Sequence, residues 1–400
     1  MMTKLLSPVG DMESLKCAVL YGADSVYLGG SAFGMRAGYG GRRGGFDGDT
    51  LTEAVTFAHS HGVKVSLTVN TVPTNEDIDE YPAFIENAAA CGIDAAIVSD
   101  IGVLALTKQH APDLAIHMST QVGIMNYAAA NALYDLGARL VVLARELSLQ
   151  DIKVLREKTK PQLDLEVFVH GAMCVSFSGR CLLSQYTDSR DANRGLCAQP
   201  CRRAYNVSES ERGLYLYEEN GGSFILNAND MCMLTHLRDL IDAGANALKI
   251  EGRAKSSYYV AAVTNAYRAA LDSARRNEPP PDWTIAEANA VSHRPYSTGF
   301  YFGRPGQNLD YGGYLREREV VAMVTGYDSN RGLIEVKQRN LFILSQTIDI
   351  ISPKTSPREQ KFSVLLDKDL SQTDRANKAG ETYYLEGERL PDYTFIRTFS

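Results

Sequence analysis

The chain has 400 residues, 44% of them hydrophobic and 22% charged, and its formal net charge is -7 at pH 7. This composition is typical of a globular protein with ample apolar material for a core. The acidic balance excludes nucleic-acid binding driven by overall charge, although a local arginine cluster can still contact phosphates. The N-terminal segment lacks the apolar region of a secretory signal, and no run reaches the roughly eighteen apolar residues of a membrane span. The sequence therefore predicts a cytoplasmic protein without a membrane segment.

Apolar, strand-like runs alternate with helix-like stretches through the N-terminal part of the chain. The strand candidates lie at residues 4–8, 25–28, 63–69, 95–98, 114–118, 140–143, 165–169 and 247–250, and the helix candidates include 12–21, 51–61, 77–91, 127–136 and 148–157. Such alternation indicates parallel strands joined by crossover helices, and eight units predict a closed (β/α)8 barrel of the TIM type over residues 1–276. A doubly wound open sheet is the alternative.

A short repeat marks the ends of the helices in this region. A glycine stands in each of the sequences YGAD, HGVK, CGID, LGAR and AGAN, and each leads into a strand candidate. Glycine is favoured just after the last helical turn, where the backbone is often left-handed. The repeat therefore indicates one βα unit copied around a barrel, which favours closure.

The loop after the second strand candidate combines glycine and arginine. Eight glycines lie between Gly29 and Gly45, together with Arg36, Arg42 and Arg43. The functional interpretation is a cationic lid whose backbone and guanidinium groups approach an anion. The alternative is a flexible surface loop without a binding role.

Active sites of (β/α)8 barrels form in the loops after the carboxyl ends of the strands. His117 lies in the fifth strand candidate and His170 directly after the seventh, while Glu251 and Arg253 follow the eighth. These side chains are predicted to converge at the mouth of the barrel. The alternatives are that both histidines are structural and that Glu251 and Arg253 pair with each other.

Four of the seven cysteines lie in one glycine- and arginine-rich stretch, residues 169–203, which we call the cysteine segment. They are Cys174, Cys181, Cys197 and Cys201, and Cys232 follows. Thiolates bind zinc and iron–sulfur clusters, so a metal site is predicted within an insertion at residues 171–232. The spacing matches neither a zinc ribbon nor a ferredoxin. Buried free thiols are the alternative, and nothing indicates the oxidising compartment that disulfides need.

The sequence pattern changes after residue 276. Residues 277–317 begin with NEPPPDW, whose three consecutive prolines break the helical pattern, and they are predicted as a linker or extension. From residue 318 onward, short strand-like runs are separated by turn sequences such as DSNRG and KAGE. Residues 318–400 are therefore predicted to form a second domain, a small antiparallel β-barrel.

Several of these segments resemble peptidase family U32. The segment EVFVHGAMCVSFSGRCLLS at 166–184 looks like the signature of that family, and NRGLCAQPCRRAY at 193–205, NANDMCML at 227–234 and ALKIEGRAKSSYY at 247–259 extend the likeness. The opening of the chain and its β-rich end are similar to the corresponding parts of the family. Within the family, the chain most resembles the tRNA uridine 5-hydroxylation proteins.

The resemblance implies an oxygen-independent, prephenate-dependent hydroxylation of the tRNA wobble uridine at C5. It also implies a [4Fe-4S] cluster on Cys174, Cys181, Cys197 and Cys232, and it leaves open a set in which Cys201 binds and Cys232 does not. Relatives imply other activities: hydroxylation of ribosomal RNA or of a quinone precursor, or a collagenase-like peptidase. A subunit that needs a partner, or a homo-oligomer, is a further alternative.

Site roles follow from the resemblance together with the predicted barrel mouth. The catalytic candidates are His170, Glu251 and Arg253. The residues predicted to bind tRNA phosphates or the carboxylates of the co-substrate are Arg36, Arg42, Arg43, His117, Arg180, Arg194 and Arg202.

Overall fold

In the computed structural model, the chain folds into a parallel barrel followed by an antiparallel sheet. The structure describes residues 2–35, 45–210, 213–218, 224, 226–309 and 313–399. None of the described helices is both long and apolar enough to cross a membrane.

The first part of the chain alternates strands and helices. The strands are β1 (Lys4–Pro8), β2 (Ser25–Gly29), β3 (Lys64–Val69), β4 (Ala95–Val98), β5 (Ala115–Met118), β6 (Leu140–Val142), β7 (Asp164–Ala172), β8 (Tyr205–Ser210), β9 (Gly213–Glu218), β10 (Asp230–Cys232), β11 (Ala247–Ile250) and β12 (Tyr296–Ser297). The α-helices are α1 (Met12–Leu20), α2 (Gly48–Ser60), α3 (Asn75–Ala90), α4 (Ile101–His110), α5 (Tyr127–Leu136), α6 (Leu149–Lys158), α7 (Leu183–Asp188), α8 (Leu237–Asp242), α9 (Ser257–Arg275) and α10 (Asp282–Ala290).

The barrel closes between its first and last strands. Strands β1 to β7 pair in chain order and in parallel, and β11 pairs in parallel with both β7 and β1. Leu248 of β11 lies opposite Leu5 on one side and Val167 on the other. The predicted (β/α)8 barrel is therefore confirmed, and the open sheet is excluded.

Local sequence explains why these elements form. All four residues of β4 are buried, as expected of a parallel strand that helices cover on one face and the barrel interior on the other. Asp11, Thr74 and Ser148 form capping boxes at the starts of α1, α3 and α6. The glycines of the predicted helix-end repeat all have positive φ: Gly22, Gly62, Gly92, Gly137 and Gly244.

The chain leaves the barrel between β7 and β11. It forms the short helices of the cysteine segment and the hairpin of β8 and β9, and then returns as β10, which pairs antiparallel with the end of β7. Because this excursion starts at the carboxyl end of β7, the cysteine segment lies over the mouth of the barrel.

The segment predicted as a linker or extension, residues 277–317, contains α10, which packs against α9, and β12, which pairs with β10. The second part of the chain is antiparallel, as predicted. Its strands are β13 (Arg318–Asp328), β14 (Leu333–Gln338), β15 (Phe342–Ile343), β16 (Ile348–Ile351), β17 (Arg358–Gln360), β18 (Leu365–Leu366), β19 (Arg375–Ala376), β20 (Thr382–Glu386) and β21 (Phe395–Phe399). Seven of them form one sheet in the order β17-β16-β21-β13-β14-β20-β18.

Candidate active site

A cavity of about 370 Å³ opens where the barrel strands end. Its walls include Thr68 of β3, Ser119 after β5, Arg145 after β6, Ala172 of β7 and Glu251 after β11. These are the carboxyl ends of parallel strands, where barrel enzymes carry their active sites. A more open depression of about 950 Å³ is lined by residues near the amino ends of the strands and by none of the described cysteines. The first cavity is therefore the candidate site.

Four thiols of the cysteine segment line this cavity together: Cys174, Cys181, Cys197 and Cys201. The sulfur of Cys181 accepts the backbone N–H of Leu183 (3.3 Å), and the sulfur of Cys197 accepts that of Gln199 (3.4 Å). Hydrogen bonds to sulfur are one means by which proteins tune iron–sulfur clusters. Burial raises the pKa of the Cys201 thiol, and the three other thiols act in the same direction. The three other thiols therefore lie close enough to Cys201 to affect its charge.

The candidate metal ligands of the cavity are its four thiols. Among the described residues, no group of three or more His, Cys, Asp or Glu side chains is close enough to bind one ion. A [4Fe-4S] cluster takes four cysteine thiolates, one at each iron, so its ligands stand farther apart than those of a single ion. Four cysteines around one cavity fit a cluster in number and in type.

The structure does not bring Cys232 to the cavity. Cys232 lies on β10 opposite His170 of β7, and its sulfur accepts a hydrogen bond from the hydroxyl of Tyr267 (3.9 Å). Burial raises the pKa of its thiol. Of the four predicted cluster ligands, three line the cavity and Cys232 does not, whereas Cys201 does.

Glu251 lines the cavity at the end of β11. The hydroxyl of Tyr27 lies 3.2 Å from Oε2 of Glu251, and Nη2 of Arg145 lies 4.0 Å from the same oxygen. Burial raises the pKa of Tyr27 well above its ordinary value, so the phenol stays protonated. Glu251 is thus held between a neutral donor and a cation at the cavity wall.

Arg253 also lines the cavity and joins β11 to the loop after β2. Its guanidinium donates hydrogen bonds to the carbonyl oxygen of Met35 (2.7 Å) and to the hydroxyl of Thr68. A Cβ on Gly29 would come within 2.8 Å of this guanidinium, so glycine leaves the room that Arg253 occupies. These contacts fix Arg253 at the cavity wall, and its catalytic role stays a prediction.

His170 does not line the cavity. Its ring is buried and contacts three tyrosine rings at centroid distances of 5.3–5.9 Å: Tyr259, Tyr267 and Tyr296. Burial lowers the pKa of His170 to about 3, so the ring is neutral at physiological pH. The structure thus places His170 away from the cavity that Glu251 and Arg253 line, and its catalytic role stays a prediction.

His117 is likewise absent from the cavity walls. Burial lowers its pKa to about 3, and the positive charges of Lys249, Lys4 and Lys64 act in the same direction. Lys4 and Lys64 begin β1 and β3, so His117 faces the amino-terminal half of the barrel. The structure therefore gives no support to a substrate-binding role for His117.

The predicted anion-binding arginines have different surroundings. Arg194 donates two hydrogen bonds to the carboxylate of Asp77 at the start of α3, and its Nη2 lies 3.0 Å from Oδ1. The Arg194 guanidinium holds the pKa of that carboxyl well below its usual range. Arg202 lines the cavity but donates to the carbonyl oxygen of Ala228 (2.7 Å). Both contacts hold the cysteine segment to other parts of the chain, and the anion-binding roles of Arg194 and Arg202 stay predictions. Arg180 is exposed. Arg36, Arg42 and Arg43 lie outside the described residues.

Four further cations line the cavity without having been predicted from the sequence: Arg145, Lys249, Lys255 and Arg294. Lys249 and Lys255 belong to the ALKIEGRAKSSYY motif, so their position beside Glu251 could have indicated them. No local pattern marks Arg145 or Arg294. The guanidinium of Arg145 lies 3.8 Å from the ring centroid of Phe168.

Positive charge exceeds negative charge in the cavity. Among the described lining residues, the only acid is Glu251, and the cations are Arg145, Arg202, Lys249, Arg253, Lys255 and Arg294. Glu166 and Asp230 offset two of them through ion pairs with Lys249 and Arg294. The remaining positive charge favours an anionic ligand, and guanidinium groups match carboxylate or phosphate oxygens.

Family models match almost the whole chain. The model described as Peptidase family U32 matches residues 10–311, and the model described as Peptidase family U32 C-terminal domain matches residues 316–397.

The curated relatives of this chain include proteins named for tRNA hydroxylation and a protein named Collagenase. A Helicobacter pylori protein named tRNA hydroxylation protein P is 41% identical over 313 residues, which cover 77% of this chain and 73% of the relative. A Bacillus subtilis protein named tRNA hydroxylation protein P1 is 31% identical over 383 residues, which cover 93% and 89%. A Porphyromonas gingivalis protein named Collagenase is 34% identical over 377 residues, which cover 90% and 88%.

Proposed function

The chain belongs to peptidase family U32, and from this premise we propose that it hydroxylates a nucleoside of tRNA in the cytoplasm. Relatives named tRNA hydroxylation protein align with 77% and 93% of this chain. The observation that carries the proposal is the cavity, where four thiols and an excess of cations meet at the open end of a barrel. Such a mouth admits a base and attracts the phosphates beside it.

The proposed target is C5 of the wobble uridine. Bases of an anticodon loop are unpaired, so one of them can turn into a cavity without breaking a duplex. Hydroxylation at C5 replaces hydrogen by a hydroxyl group and is a two-electron oxidation: the hydrogen leaves as a proton to an acceptor, and the co-substrate that gives up its oxygen is reduced by two electrons. Glu251 is the one carboxylate among the described lining residues, and we assign it that role.

The proposed cofactor is a [4Fe-4S] cluster on Cys174, Cys181, Cys197 and Cys201, the four thiols of the cavity. When bound, such a cluster supplies one-electron redox chemistry. In the alternative set, with Cys232 in place of Cys201, one ligand would be a thiol that does not line the cavity and whose sulfur accepts a hydrogen bond from Tyr267.

The proposed co-substrate is prephenate, a small dicarboxylate that supplies the oxygen atom in place of O₂. Arg145 is the best-prepared side chain for its carboxylates. The carbonyl oxygen of Ala172 accepts from its Nη1 (2.8 Å) and the ring of Phe168 supports its flat face, while its Nε has no partner among the described residues. A guanidinium fixed in this way loses little freedom when it binds a carboxylate.

Peptidase activity is the second candidate, because one relative is named Collagenase. A cysteine peptidase needs a thiol that a histidine activates. In the part of the chain that the structure describes, no histidine lines the cavity, and the hydrogen bonds of its thiols go to other groups. The geometry therefore favours hydroxylation.

Loss of the gene tests the proposal. Nucleosides of total tRNA from cells without the gene are expected to lack 5-hydroxyuridine and its derivatives, and the wild-type gene is expected to restore them. Mass spectrometry of the digested tRNA measures this. An unchanged nucleoside profile, together with cleavage of collagen peptides by the purified protein, would favour the peptidase instead.

A further inference from the structure

The cysteine segment exposes large apolar side chains beside the cavity. Tyr186 is 81% exposed, Leu182 55% and Phe177 51%. Single exposed apolar residues are common, whereas several in one short segment mark a binding surface. Cys174 and Cys181 of the same segment line the cavity. This surface therefore adjoins the candidate active site.

The backbone presents these side chains in an ordered way. The ring of Phe177 packs over the loop after β5, because a Cβ on Gly123 would lie 2.9 Å from it. Leu182 and Tyr186 are joined by the first turn of α7, where the Tyr186 N–H donates to the Leu182 carbonyl oxygen (3.2 Å). Residues four apart in a helix share a face. Leu182 and Tyr186 are thus displayed together.

Two exposed arginines, Arg180 and Arg190, lie in the same stretch of the chain as these apolar side chains. Other arginines of the segment are engaged, since Arg203 pairs with Asp188 at 2.5 Å. Rings interleaved with guanidinium groups are the combination that holds single-stranded nucleic acid, because the rings stack on bases and the cations contact phosphates. Aromatic residues and arginine are also enriched in protein–protein interfaces, so it is the position of this surface beside a cavity with an excess of cations that favours RNA.

We propose that Phe177, Leu182 and Tyr186, with Arg180 and Arg190, form a platform for the unpaired nucleotides that flank the target base of an RNA loop. The inference rests on the proposed function and deepens it, because it names the surface that recognises the substrate. A base that enters the cavity leaves its neighbours unstacked, and exposed rings restore that stacking.

Affinity for RNA tests the platform without relying on catalysis. The probe is a fluorescent anticodon stem-loop RNA, and its binding to the full chain is measured by anisotropy. Tyr186→Ser is expected to weaken binding about tenfold, whereas Tyr186→Phe keeps the ring and binds like the wild type. Arg180→Gln is expected to lower the slope of log affinity against log salt by about 0.7. Leu136→Ser, an exposed apolar site at the far end of α5, serves as the control.

The outcomes separate this inference from the proposed function. Equal RNA affinities for Tyr186→Ser and the wild type, with tRNA still hydroxylated in cells, would overturn the platform alone. A wild-type protein that neither binds the RNA nor modifies tRNA would overturn both. A changed oligomeric state of Tyr186→Ser with unchanged RNA affinity would show that protein covers this surface, and would also overturn the platform.

Discussion

The substitution Arg397→Met is expected to lower the free energy of unfolding by about 3–5 kcal/mol, because it removes the ion-pair partner of the buried Glu287 and leaves Asp349 with Arg318 alone. Arg397 is 0% exposed. Its Nη1 lies 2.7 Å from Oε2 of Glu287, and its Nη2 lies 2.7 Å from Oδ2 of Asp349. Nη1 also donates to the hydroxyl of Tyr258 (3.0 Å). Since Glu287 belongs to α10 and Tyr258 to α9, this cluster joins the antiparallel sheet to the barrel.

The loss of stability in Arg397→Met is expected to depend on pH. Burial raises the pKa of Glu287, whereas the Arg397 guanidinium lowers it, so removing the guanidinium raises it further. A carboxyl whose pKa is higher in the folded state loses stability as pH rises from its unfolded value, about 4.3, through its folded value. The loss is therefore larger at pH 8 than at pH 5. Urea unfolding at both pH values measures it.

Arg276→Met is the matched control for Arg397→Met. Arg276 pairs with Glu278 at 2.8 Å, but both side chains are exposed, and such pairs contribute about 0–1 kcal/mol. Adding Glu287→Gln to Arg397→Met should recover part of the lost stability, since one buried charge is removed. A loss in Arg397→Met no larger than that of the control would show that the cluster does not hold the two parts together.

The substitution Gly171→Ala is expected to cost about 2–6 kcal/mol of stability, the sum of backbone strain and steric overlap. Gly171 has φ +102°, and strain at such a residue costs about 1–3 kcal/mol. A Cβ there would lie 2.4 Å from the backbone oxygen of Glu251, and overpacking adds about 1–3 kcal/mol. Because the side chain of Glu251 is the proposed proton acceptor, a shift of its backbone should also lower hydroxylation.

The control variant Gly380→Ala separates backbone strain from steric overlap. Gly380 has φ +81°, but a Cβ there would meet no atom within 4 Å, so this variant carries the strain without the overlap. Thermal or urea unfolding of the two variants compares them directly. Equal losses would refute the close approach of Gly171 to Glu251.

The barrel could be predicted from the sequence because its signals are local. Apolar runs, capping residues and helix-end glycines such as Gly22 and Gly244 each report on a few neighbouring residues. The predicted strands at 4–8, 95–98 and 247–250 have the correct bounds for that reason. Closure itself depends on β11 pairing with β1, a contact across the whole domain, and only the count of eight units and the helix-end glycine repeat indicate it.

The side chains of the site are harder to predict, because their directions depend on distant contacts. His170 follows a strand end, but β7 has an irregularity there: Phe168 pairs with Lys249, and His170 pairs with the next residue, Ile250. Because Val169 is an extra residue in the strand, the side chains of Phe168 and His170 point to opposite faces of β7. Phe168 therefore lines the cavity and His170 does not.

The roles of two arginines and two cysteines show the same limit. Arg194 pairs with Asp77, 117 residues away in the chain, and Arg202 donates a hydrogen bond to Ala228, 26 residues away. No local sequence pattern indicates either contact. Cys201 and Cys232 are both plausible ligands by spacing. Only the return of the chain as β10 beside β7 separates Cys232 from the cavity.

The most direct test of the account is the amount of 5-hydroxyuridine-derived nucleoside in tRNA from cells whose only copy of the gene carries Cys201→Ser or Cys232→Ser. We expect Cys201→Ser to abolish both the nucleoside and the iron bound by the anaerobically purified protein. Cys232→Ser should retain both. Loss with Cys232→Ser and retention with Cys201→Ser would contradict the proposed site, and retention in both variants would contradict a cluster held by these thiols.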